Sequence, residues 1–269
     1  MKKACRIFER ILLVVLIAVF CVSAFMVGRE FYTGHKEEEA FRELNTLLDA
    51  PAPTAEQLPL PEGETVPETD PPATEAGGIL PRYQAVYAKN PDLYGWVELT
   101  GTKLSYPVVC TPEDGEYYLR RDFNGDYARS GVPFLDVRCT EDGQHQMVYG
   151  HNMKNGTMFS LLEEYADPDF FREHPEIRFD TIYEEGVYEV ASAFHTIAYG
   201  KDETGIFRWH DYADLSDPED FAAYVDWAQD NAIYSTGIEI LPDDELLTLV
   251  TCSYGTENER FVVIARRCK

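Results

Sequence analysis

An uncharged apolar run of seventeen residues, from Ile11 to Val27, lies near the start of this 269-residue chain. Such a run is at the short end of what crosses a bilayer, roughly 17–25 residues, and is longer than the usual core of a cleaved signal peptide, roughly 7–15 residues. Four cations precede it: Lys2, Lys3, Arg6 and Arg10. Because Lys and Arg are enriched on the cytoplasmic side of membrane helices, we expect a single-pass transmembrane signal-anchor over residues 11–28. Residues 1–10 would then form a cytoplasmic tip, with the rest of the chain outside the cell membrane.

Two segments separate this run from the rest of the chain. Residues 29–50 carry apolar positions at helical spacing, which predicts a short amphipathic juxtamembrane helix. Residues 51–79 hold seven of the sixteen prolines and six acidic residues, with no Lys or Arg. That composition cannot bury enough apolar surface to offset the entropy of ordering, so we interpret it as an extended spacer. Residues 80–269 remain, enough for one domain with a sizeable core.

The chain is strongly acidic, with a formal net charge of −25. A surface of this sign repels nucleic acid and anionic lipid headgroups, so neither is expected as a binding partner. Six cysteines are too few in a chain of this length for a dense disulfide framework. For Cys110 and Cys139, a disulfide and a pair of buried thiols both fit the sequence, and we favour the thiols.

Short apolar, β-branched runs separated by Gly, Asp and Asn predict a mainly β domain. The candidate strands are residues 95–99, 103–110, 131–137, 146–149, 177–180, 187–197, 246–252 and 261–266. The candidate helices are residues 81–89, 159–165, 169–173 and 218–231. Many short strands with a few helices in the connections favour a barrel or a sandwich. The sequence contains no repeat, no Rossmann glycine fingerprint and no P-loop.

The last two candidate strands bring two reactive groups together. Cys252 ends the first strand, and Arg260 begins the second after a seven-residue loop that contains a glycine. In an antiparallel hairpin these two residues lie side by side at the open end. A thiol beside a fixed positive charge predicts a thiolate nucleophile. For Cys252 taken alone, a small buried hydrophobic residue would be the better interpretation.

His151 is the strongest candidate for an acid–base partner. It follows the short strand that ends at Tyr149-Gly150, and functional side chains commonly lie on the loops that follow strands. The other five histidines have weaker claims, and we place His145 in a polar turn. Alone, His151 would be structural more often than catalytic.

Several enzyme classes are excluded by missing patterns. No G-x-S-x-G elbow is present, which argues against a serine hydrolase of that type. No H-E-x-x-H or paired C-x-x-C occurs, and no acidic cluster has the spacing of metal ligands, so no metal or other cofactor is implied. The papain-like order, Cys before His, is reversed here.

The remaining motifs together resemble a sortase, most closely class B. They are Tyr149-Gly150-His151-Asn152-Met153, Thr157-Met158-Phe159, Thr248-Leu249-Val250-Thr251-Cys252 and Arg260-Phe261-Val262-Val263. Shorter matches support them: Asn90-Pro91-Asp92, Gly95-Trp96, Tyr106-Pro107-Val108-Val109 and Phe134-Leu135-Asp136. The resemblance covers residues 90–269, and its specificity lies in the order and spacing of motifs that are individually weak.

This resemblance implies a fold, an activity and a set of partners. The fold is an eight-stranded sortase-type β-barrel with peripheral helices. The activity is that of a class B cysteine transpeptidase, which cleaves a C-terminal sorting signal of surface proteins at its Thr and passes the acyl group to a peptidoglycan amine. In that scheme Cys252 is the nucleophile, His151 the acid–base residue, and Arg260 the stabiliser of the oxyanion or of the bound substrate.

The peptide-binding residues are predicted with less support from the motifs. Leu119, Thr251 and the Ile206-Phe207 pair are the candidates for substrate contacts. Two departures from class B affect the recognised motif: Val250 replaces a frequent Ser, and Asp114-Gly115-Glu116 replaces a segment that can carry Asn. We expect a signal of the type Asn- or Ser-Pro-x-Thr.

Three alternatives remain open at the level of sequence. A class B-like enzyme could polymerise pilins, with a pilin lysine as the acceptor. A surface-anchored binding module could retain the barrel without activity, although it would have no need to keep Cys252, His151 and Arg260. An extracellular thiol protease is the third alternative.

Overall fold

The computed structural model describes residues 2–48, 78–139, 143–253, 256 and 258–269. The chain divides into two compact units, residues 1–42 and residues 43–269.

Helix α1 runs without interruption over Lys2–Leu48. It is the one helix of the described residues that is long and apolar enough to cross a membrane, with a mean hydropathy of 1.7 over an 18-residue window within Val15–Leu48. Between Leu13 and Val27 its described large apolar side chains are exposed, including Phe20 and Phe25, as expected of a surface that requires an apolar surrounding.

The last turns of α1 belong to the second unit and pack against the barrel. Leu44 and Leu48 are buried there. The Asn45 side chain donates to the Ser105 carbonyl oxygen at 3.1 Å and accepts from the Ser105 hydroxyl at 2.6 Å. The separate juxtamembrane helix predicted over residues 29–50 is therefore continuous with the apolar helix as far as Leu48. Apart from residues 78–79, the predicted spacer lies outside the described residues.

Eight strands close into one mixed β-barrel, as the sequence predicts. They are β1 (Leu93–Glu98), β2 (Ser105–Val109), β3 (Phe134–Leu135), β4 (His145–Gly150), β5 (Glu176–Thr181), β6 (Val187–Ile197), β7 (Leu246–Cys252) and β8 (Glu259–Arg267). Their order around the barrel is β1-β2-β3-β4-β7-β8-β6-β5. The pairs β2–β3 and β4–β7 are parallel, and the other neighbours are antiparallel.

The parallel pairing of β4 with β7 is the feature that positions the site. Parallel neighbours need a crossover connection, and here it is the whole segment between Gly150 and Leu246, which contains β5 and β6. All residues of strand β7 except Cys252 are buried, and most of them are apolar. Such a composition is typical of a strand covered on both faces.

Three helices follow α1 in chain order: α2 (Pro81–Lys89), α3 (Pro168–Glu173) and α4 (Pro218–Asp230). Helix α4 begins after Asp217, whose side chain accepts from the backbone N–H groups of Glu219 and Asp220, and proline occupies its first turn. Its buried face packs on β4, β6, β7 and β8 in a second core outside the barrel, formed by Met147, Phe194, Phe221, Tyr224, Val225, Val250, Val262 and Ile264 among others.

Some element boundaries differ from the predictions. The strand predicted over residues 131–137 is reduced to Phe134–Leu135, because Pro133 lacks a backbone N–H and Asp136 caps a turn by accepting from the Arg138 N–H at 3.0 Å. The helix predicted over 159–165 is a 3₁₀ helix, Phe159–Ala166. The placement of His145 in a polar turn was wrong: it is the first residue of β4 and only 2% exposed.

His145 belongs to a buried polar network that ties α4 to the strand carrying Cys252. Its Nδ1 donates to the Tyr212 carbonyl oxygen at 2.9 Å, so in the neutral ring Nε2 accepts from the Thr248 hydroxyl at 2.8 Å. The Tyr224 hydroxyl lies 3.0 Å from the same Thr248 oxygen. Burial lowers the pKa of His145 to about 4, so the ring is neutral at pH 7.

Because folded His145 is buried in its neutral form, we expect the folded protein to lose stability in acid. An unfolded histidine binds its proton near pH 6.5, whereas folded His145 does so only near pH 4, so the unfolded state binds more protons in this window. We expect the free energy of unfolding to fall by about 3 kcal/mol more in the wild type than in His145→Gln between these pH values. Guanidinium denaturation across the window measures it, with the half-exposed His195→Gln as control. Equal pH slopes for wild type and His145→Gln would contradict the assignment.

Candidate active site

Three neighbouring strands bring their ends to one rim of the barrel. In the parallel pair, Gly150 of β4 lies opposite Thr251 of β7, so His151 and Cys252 leave the pairing at the same level. In the antiparallel pair, Cys252 lies opposite Arg260 of β8. Neighbouring strands are about 4.8 Å apart, so the strand order β4-β7-β8 collects a histidine, a cysteine and an arginine within a small region.

A cleft of about 420 Å³ opens at this rim. Its described lining residues are Gly115, Glu116, Leu119, Ser130, Val132, Phe134, Asp136, Val137, Arg138, Tyr149, Gly150, His151, Ala198, Trp209, His210, Val250, Thr251, Cys252 and Arg260. Cys252, His151 and Arg260 are each half-buried, so they are shielded in part from water and still open to the cleft. Such a concave surface with a few convergent polar groups is the usual form of a ligand site.

The backbone before His151 requires a glycine. A Cβ at Gly150 would lie 2.6 Å from the ring of Phe159, which is fully buried. The Phe159 N–H donates to the His151 carbonyl oxygen at 2.9 Å, and the Met158 N–H donates to the Tyr106 hydroxyl at 2.9 Å. The Tyr-Gly-His and Thr-Met-Phe motifs therefore pack against each other and fix the direction in which His151 leaves the strand.

A single hydrogen bond orients the His151 ring. Its Nε2 lies 2.9 Å from the Leu119 carbonyl oxygen. Because a carbonyl oxygen can only accept, Nε2 keeps its hydrogen in both the neutral and the charged ring, and Nδ1 is the nitrogen that gains or loses a proton. A Cβ at Gly131, which has a φ of +60°, would lie 2.6 Å from this same carbonyl oxygen. Glycine at position 131 thus leaves room for the carbonyl that orients His151.

The surroundings of His151 favour its neutral form. Burial lowers the pKa of its imidazole, and the charges of Arg120 and Arg260 lower it further, against the hydrogen bond to Leu119. A neutral imidazole with Nδ1 unprotonated can accept a proton from a thiol or an amine near pH 7 and can return it.

Arg260 is held at the rim by one backbone contact. Its Nη1 donates to the carbonyl oxygen of the adjacent Glu259 at 3.0 Å. Within the described part of the chain, no carboxylate lies within ion-pair distance of the guanidinium. The side chain therefore keeps donor groups available in the cleft beside Cys252, where they can stabilise a negatively charged oxygen.

The structure separates the four predicted peptide-binding residues into two pairs. Leu119 and Thr251 line the cleft. Thr251 is almost fully buried, and its hydroxyl has no hydrogen-bond partner among the described residues. Ile206 and Phe207 are not among the described residues that line the cleft. Phe207 instead stacks between Tyr212 and Trp227, with ring centroids 4.5 and 5.0 Å away.

Sequence reasoning missed the polar wall of the cleft. Asp136, Arg138, Tyr149 and His210 all line it. The Asp136–Arg138 pair has a detectable signal, since two opposite charges two residues apart directly follow an apolar strand. His210 gives no such signal, because it enters the cleft from a 3₁₀ turn, Trp209–Asp211, in the long connection between β6 and α4.

The thiols outside the cleft are chemically different. The structure has Cys110 and Cys139 as free thiols, in keeping with the favoured interpretation. Burial raises the pKa of Cys110, and burial raises that of Cys139 to about 12. Neither supplies an appreciable thiolate at neutral pH.

A closed mixed barrel with a thiol, an imidazole and a guanidinium at one rim has the architecture and the groups of a cysteine transpeptidase. A family model for the sortase domain matches residues 102–268. Sortase B of Listeria monocytogenes serovar 1/2a is 27% identical over 258 residues, covering 93% of this chain and 91% of that protein. Sortase B of Staphylococcus aureus is 29% identical over 195 residues, covering 71% of this chain and 76% of that protein.

Solved structures of sortase B share the fold. A Bacillus anthracis sortase B in complex with AAEK1 superposes with a TM-score of 0.69 at 25% identity, covering 89% of this chain and 99% of that one. A Staphylococcus aureus sortase B–substrate complex superposes with a TM-score of 0.62 at 28% identity, covering 72% of this chain and 87% of that one. The chain belongs to the sortase family. It is a class B cysteine transpeptidase, of a family that acts on sorting-signal substrates at the cell surface.

Proposed function

We propose that this chain is a membrane-anchored class B sortase that attaches surface proteins to peptidoglycan, with Cys252 as nucleophile, His151 as acid–base residue and Arg260 as oxyanion stabiliser. The observation that carries the proposal is the convergence of β4, β7 and β8, which sets Gly150 opposite Thr251 and Cys252 opposite Arg260. Cys252 is the one described cysteine that lines this cleft, together with His151 and Arg260.

The first half of the reaction forms a thioester. Cys252 gives its thiol proton to His151 Nδ1, and the Sγ thiolate attacks the carbonyl carbon of the Thr in the sorting signal, whose carbonyl oxygen becomes an oxyanion. Arg260 donates hydrogen bonds to that oxygen. The C–N bond then breaks, and His151 Nδ1 gives its proton to the leaving amine. The surface protein remains bound to Cys252 through a C–S bond.

The second half transfers the acyl group. An acceptor amine of peptidoglycan attacks the thioester carbonyl and gives its proton to His151 Nδ1. The second tetrahedral intermediate collapses, the C–S bond breaks, and the thiolate is released as the new amide forms. His151 Nδ1 then returns this proton to Cys252 Sγ, which restores the thiol and the neutral imidazole, so a single residue serves both halves.

The membrane helix and the signal are part of the same proposal. Residues 11–28 would span the cell membrane once, with residues 1–10 inside, residues 29–50 next to the membrane, residues 51–79 as a spacer and residues 80–269 as the catalytic domain on the wall side. The exposed apolar surface of α1 supports the span. The proposed signal is of the Asn- or Ser-Pro-x-Thr type, for which Leu119 and Thr251 in the cleft are the supported contacts.

Product analysis tests the transfer. The full chain in detergent is incubated with a sorting peptide and, in separate reactions, with a peptidoglycan stem-peptide amine or a pilin domain that offers a lysine. We expect a new amide between the peptide's Thr and the peptidoglycan amine, detected by mass spectrometry. An amide only with the pilin lysine would favour pilus polymerisation. Hydrolysis alone under saturating amine would favour a thiol protease, and no reaction of any peptide in a broad panel would favour an inactive binding module.

A further inference from the structure

An ion pair between a buried aspartate and an exposed arginine belongs to the lining of the cleft. Arg138 donates from Nε to Asp136 Oδ1 at 2.9 Å and from Nη2 to Asp136 Oδ2 at 2.6 Å. The Asp136 side chain is only 9% exposed. Burial would raise the pKa of this carboxyl, but its hydrogen bonds from Arg138 hold the pKa below its usual value, so the pair is charged at neutral pH. A bidentate contact of this kind fixes the guanidinium in one plane.

The same guanidinium reaches a second segment of the cleft lining, the turn Trp209–Asp211. Arg138 Nη2 also donates to the His210 carbonyl oxygen at 2.5 Å, across 72 positions of sequence. Arg138 Nη1 lies 3.9 Å from Asp211 Oδ1, and Asp211 in turn pairs with Arg208. The turn Trp209–Asp211 is thereby connected to the residues that follow β3.

Both segments that Arg138 joins belong to the lining of the cleft. Asp136, Arg138, Trp209 and His210 line the cleft that contains Cys252. The connection also touches the strand that leads to His151, because the Tyr149 hydroxyl donates to Asp136 Oδ2 at 3.3 Å. The position of the Trp209–Asp211 turn relative to Asp136 therefore depends on the guanidinium that joins them.

We propose that Arg138 is a positioning residue that shapes the peptide-binding cleft by holding the Trp209–Asp211 turn against Asp136. The inference rests on the proposed function, since it assumes that the sorting peptide binds in this cleft. Arg138 does not act on the thiol. It holds the wall against which the peptide docks, so its loss weakens binding of the peptide and leaves the chemistry of Cys252 intact.

Lysine cannot replace this arrangement. An ammonium is a point charge without a planar fork, so it can pair with Asp136 or approach the His210 carbonyl but cannot hold both in the observed geometry. Arg138→Lys thus keeps the positive charge at position 138 but cannot contact Asp136 and the His210 carbonyl oxygen at the same time. Arg178→Lys is the matched control, because Arg178 also pairs with a buried aspartate two residues away, Asp180, through Nε at 3.0 and 3.2 Å, and it lies on β5 outside the cleft lining.

Steady-state kinetics of the full chain in detergent test the proposal, with a sorting peptide and a saturating amine. We expect Arg138→Lys to raise KM for the peptide roughly three- to tenfold with kcat within about twofold of wild type. The rate of Cys252 alkylation by a small thiol reagent should stay unchanged, since that reagent does not use the peptide cleft. Arg178→Lys should leave all three quantities unchanged.

A second variant tests the same contact by changing the partner of Arg138, the carboxylate of Asp136. Asp136→Asn should raise KM by a similar factor, and the double variant should be no worse than the worse single variant, because both changes break one bridge. An unchanged KM in Arg138→Lys would overturn the proposal, and so would a fall in kcat and alkylation rate at constant KM or an equal rise of KM in Arg178→Lys. Failure of the proposed function looks different, because the wild type itself would then form no amide with the peptidoglycan amine, or Cys252→Ala would retain activity.

Discussion

Replacing Cys252 with alanine is expected to abolish both amide formation and hydrolysis of the sorting peptide, lowering kcat/KM by roughly 10,000-fold or more. The reason is that the thioester cannot form without the sulfur, and no other described group in the cleft is a comparable nucleophile. The measurement is product formation by the full chain over a long incubation, together with trapping of the acyl-enzyme by mass spectrometry. Peptide binding should survive, since the β7–β8 pairing and the cleft walls do not depend on the thiol.

Cys110→Ala is the matched control for that experiment. Cys110 is also a half-buried free thiol at a strand end, but it does not line the cleft, and burial raises its pKa. We expect its removal to leave kcat/KM within about twofold of wild type, in line with the small effects of changes distant from a site. Product formation by Cys252→Ala, or loss of the acyl-enzyme in Cys110→Ala, would refute the assignment of the nucleophile.

Replacing Arg260 with lysine should lower kcat/KM roughly 100- to 1,000-fold, the usual cost of removing one oxyanion donor. Arg260 lies opposite Cys252 in the β7–β8 register, and within the described residues its guanidinium hydrogen-bonds only to the Glu259 carbonyl oxygen. A lysine keeps the positive charge but not the fork of donors that can follow the oxygen as it becomes tetrahedral. Most of the loss should appear in kcat, because the interaction is strongest in the transition state.

The alkylation rate of Cys252 separates the two roles that Arg260 could have. If Arg260 mainly supports the thiolate by its charge, Arg260→Gln should slow alkylation by a small reagent and Arg260→Lys should not. If it mainly stabilises the oxyanion, both variants should alkylate at nearly the wild-type rate while kcat falls. We expect the second pattern. A slow alkylation of Arg260→Gln, with normal kcat in Arg260→Lys, would assign Arg260 to the thiolate instead.

The hairpin of β7 and β8 could be predicted from the sequence because the residues that specify it lie close together in the chain. Two β-branched runs and one short loop define the partners, and the position of Cys252 and Arg260 at the two strand ends follows from the antiparallel geometry. The class B barrel and its helix α4 were likewise predicted by the order of the motifs and are confirmed by the fold. The apolar helix was predicted by composition, although its continuation to Leu48 was not, because helix boundaries depend on what the last turn packs against.

The position of His145 shows where local reasoning fails. A histidine between polar residues reads as a turn, yet Tyr212, Tyr224 and Thr248 supply a buried network that makes it a strand residue. These partners come from three other parts of the chain, so no window around His145 contains the signal. The polar wall of the cleft is similar, since the contact between Arg138 and His210 joins residues that are 72 positions apart.

The sequence by itself determined the chemistry available to this protein: the residue types of the Tyr-Gly-His and Thr-Cys motifs, the local hairpin, and the apolar run that could enter a membrane. The tertiary structure decided which of these groups meet. A parallel pair of strands has no turn to specify it, and its register depends on how the whole crossover packs. Only the closed barrel, with β4 between β3 and β7, carries His151 to the side of Cys252 opposite Arg260 and lets Arg138 join Asp136 to the Trp209–Asp211 turn.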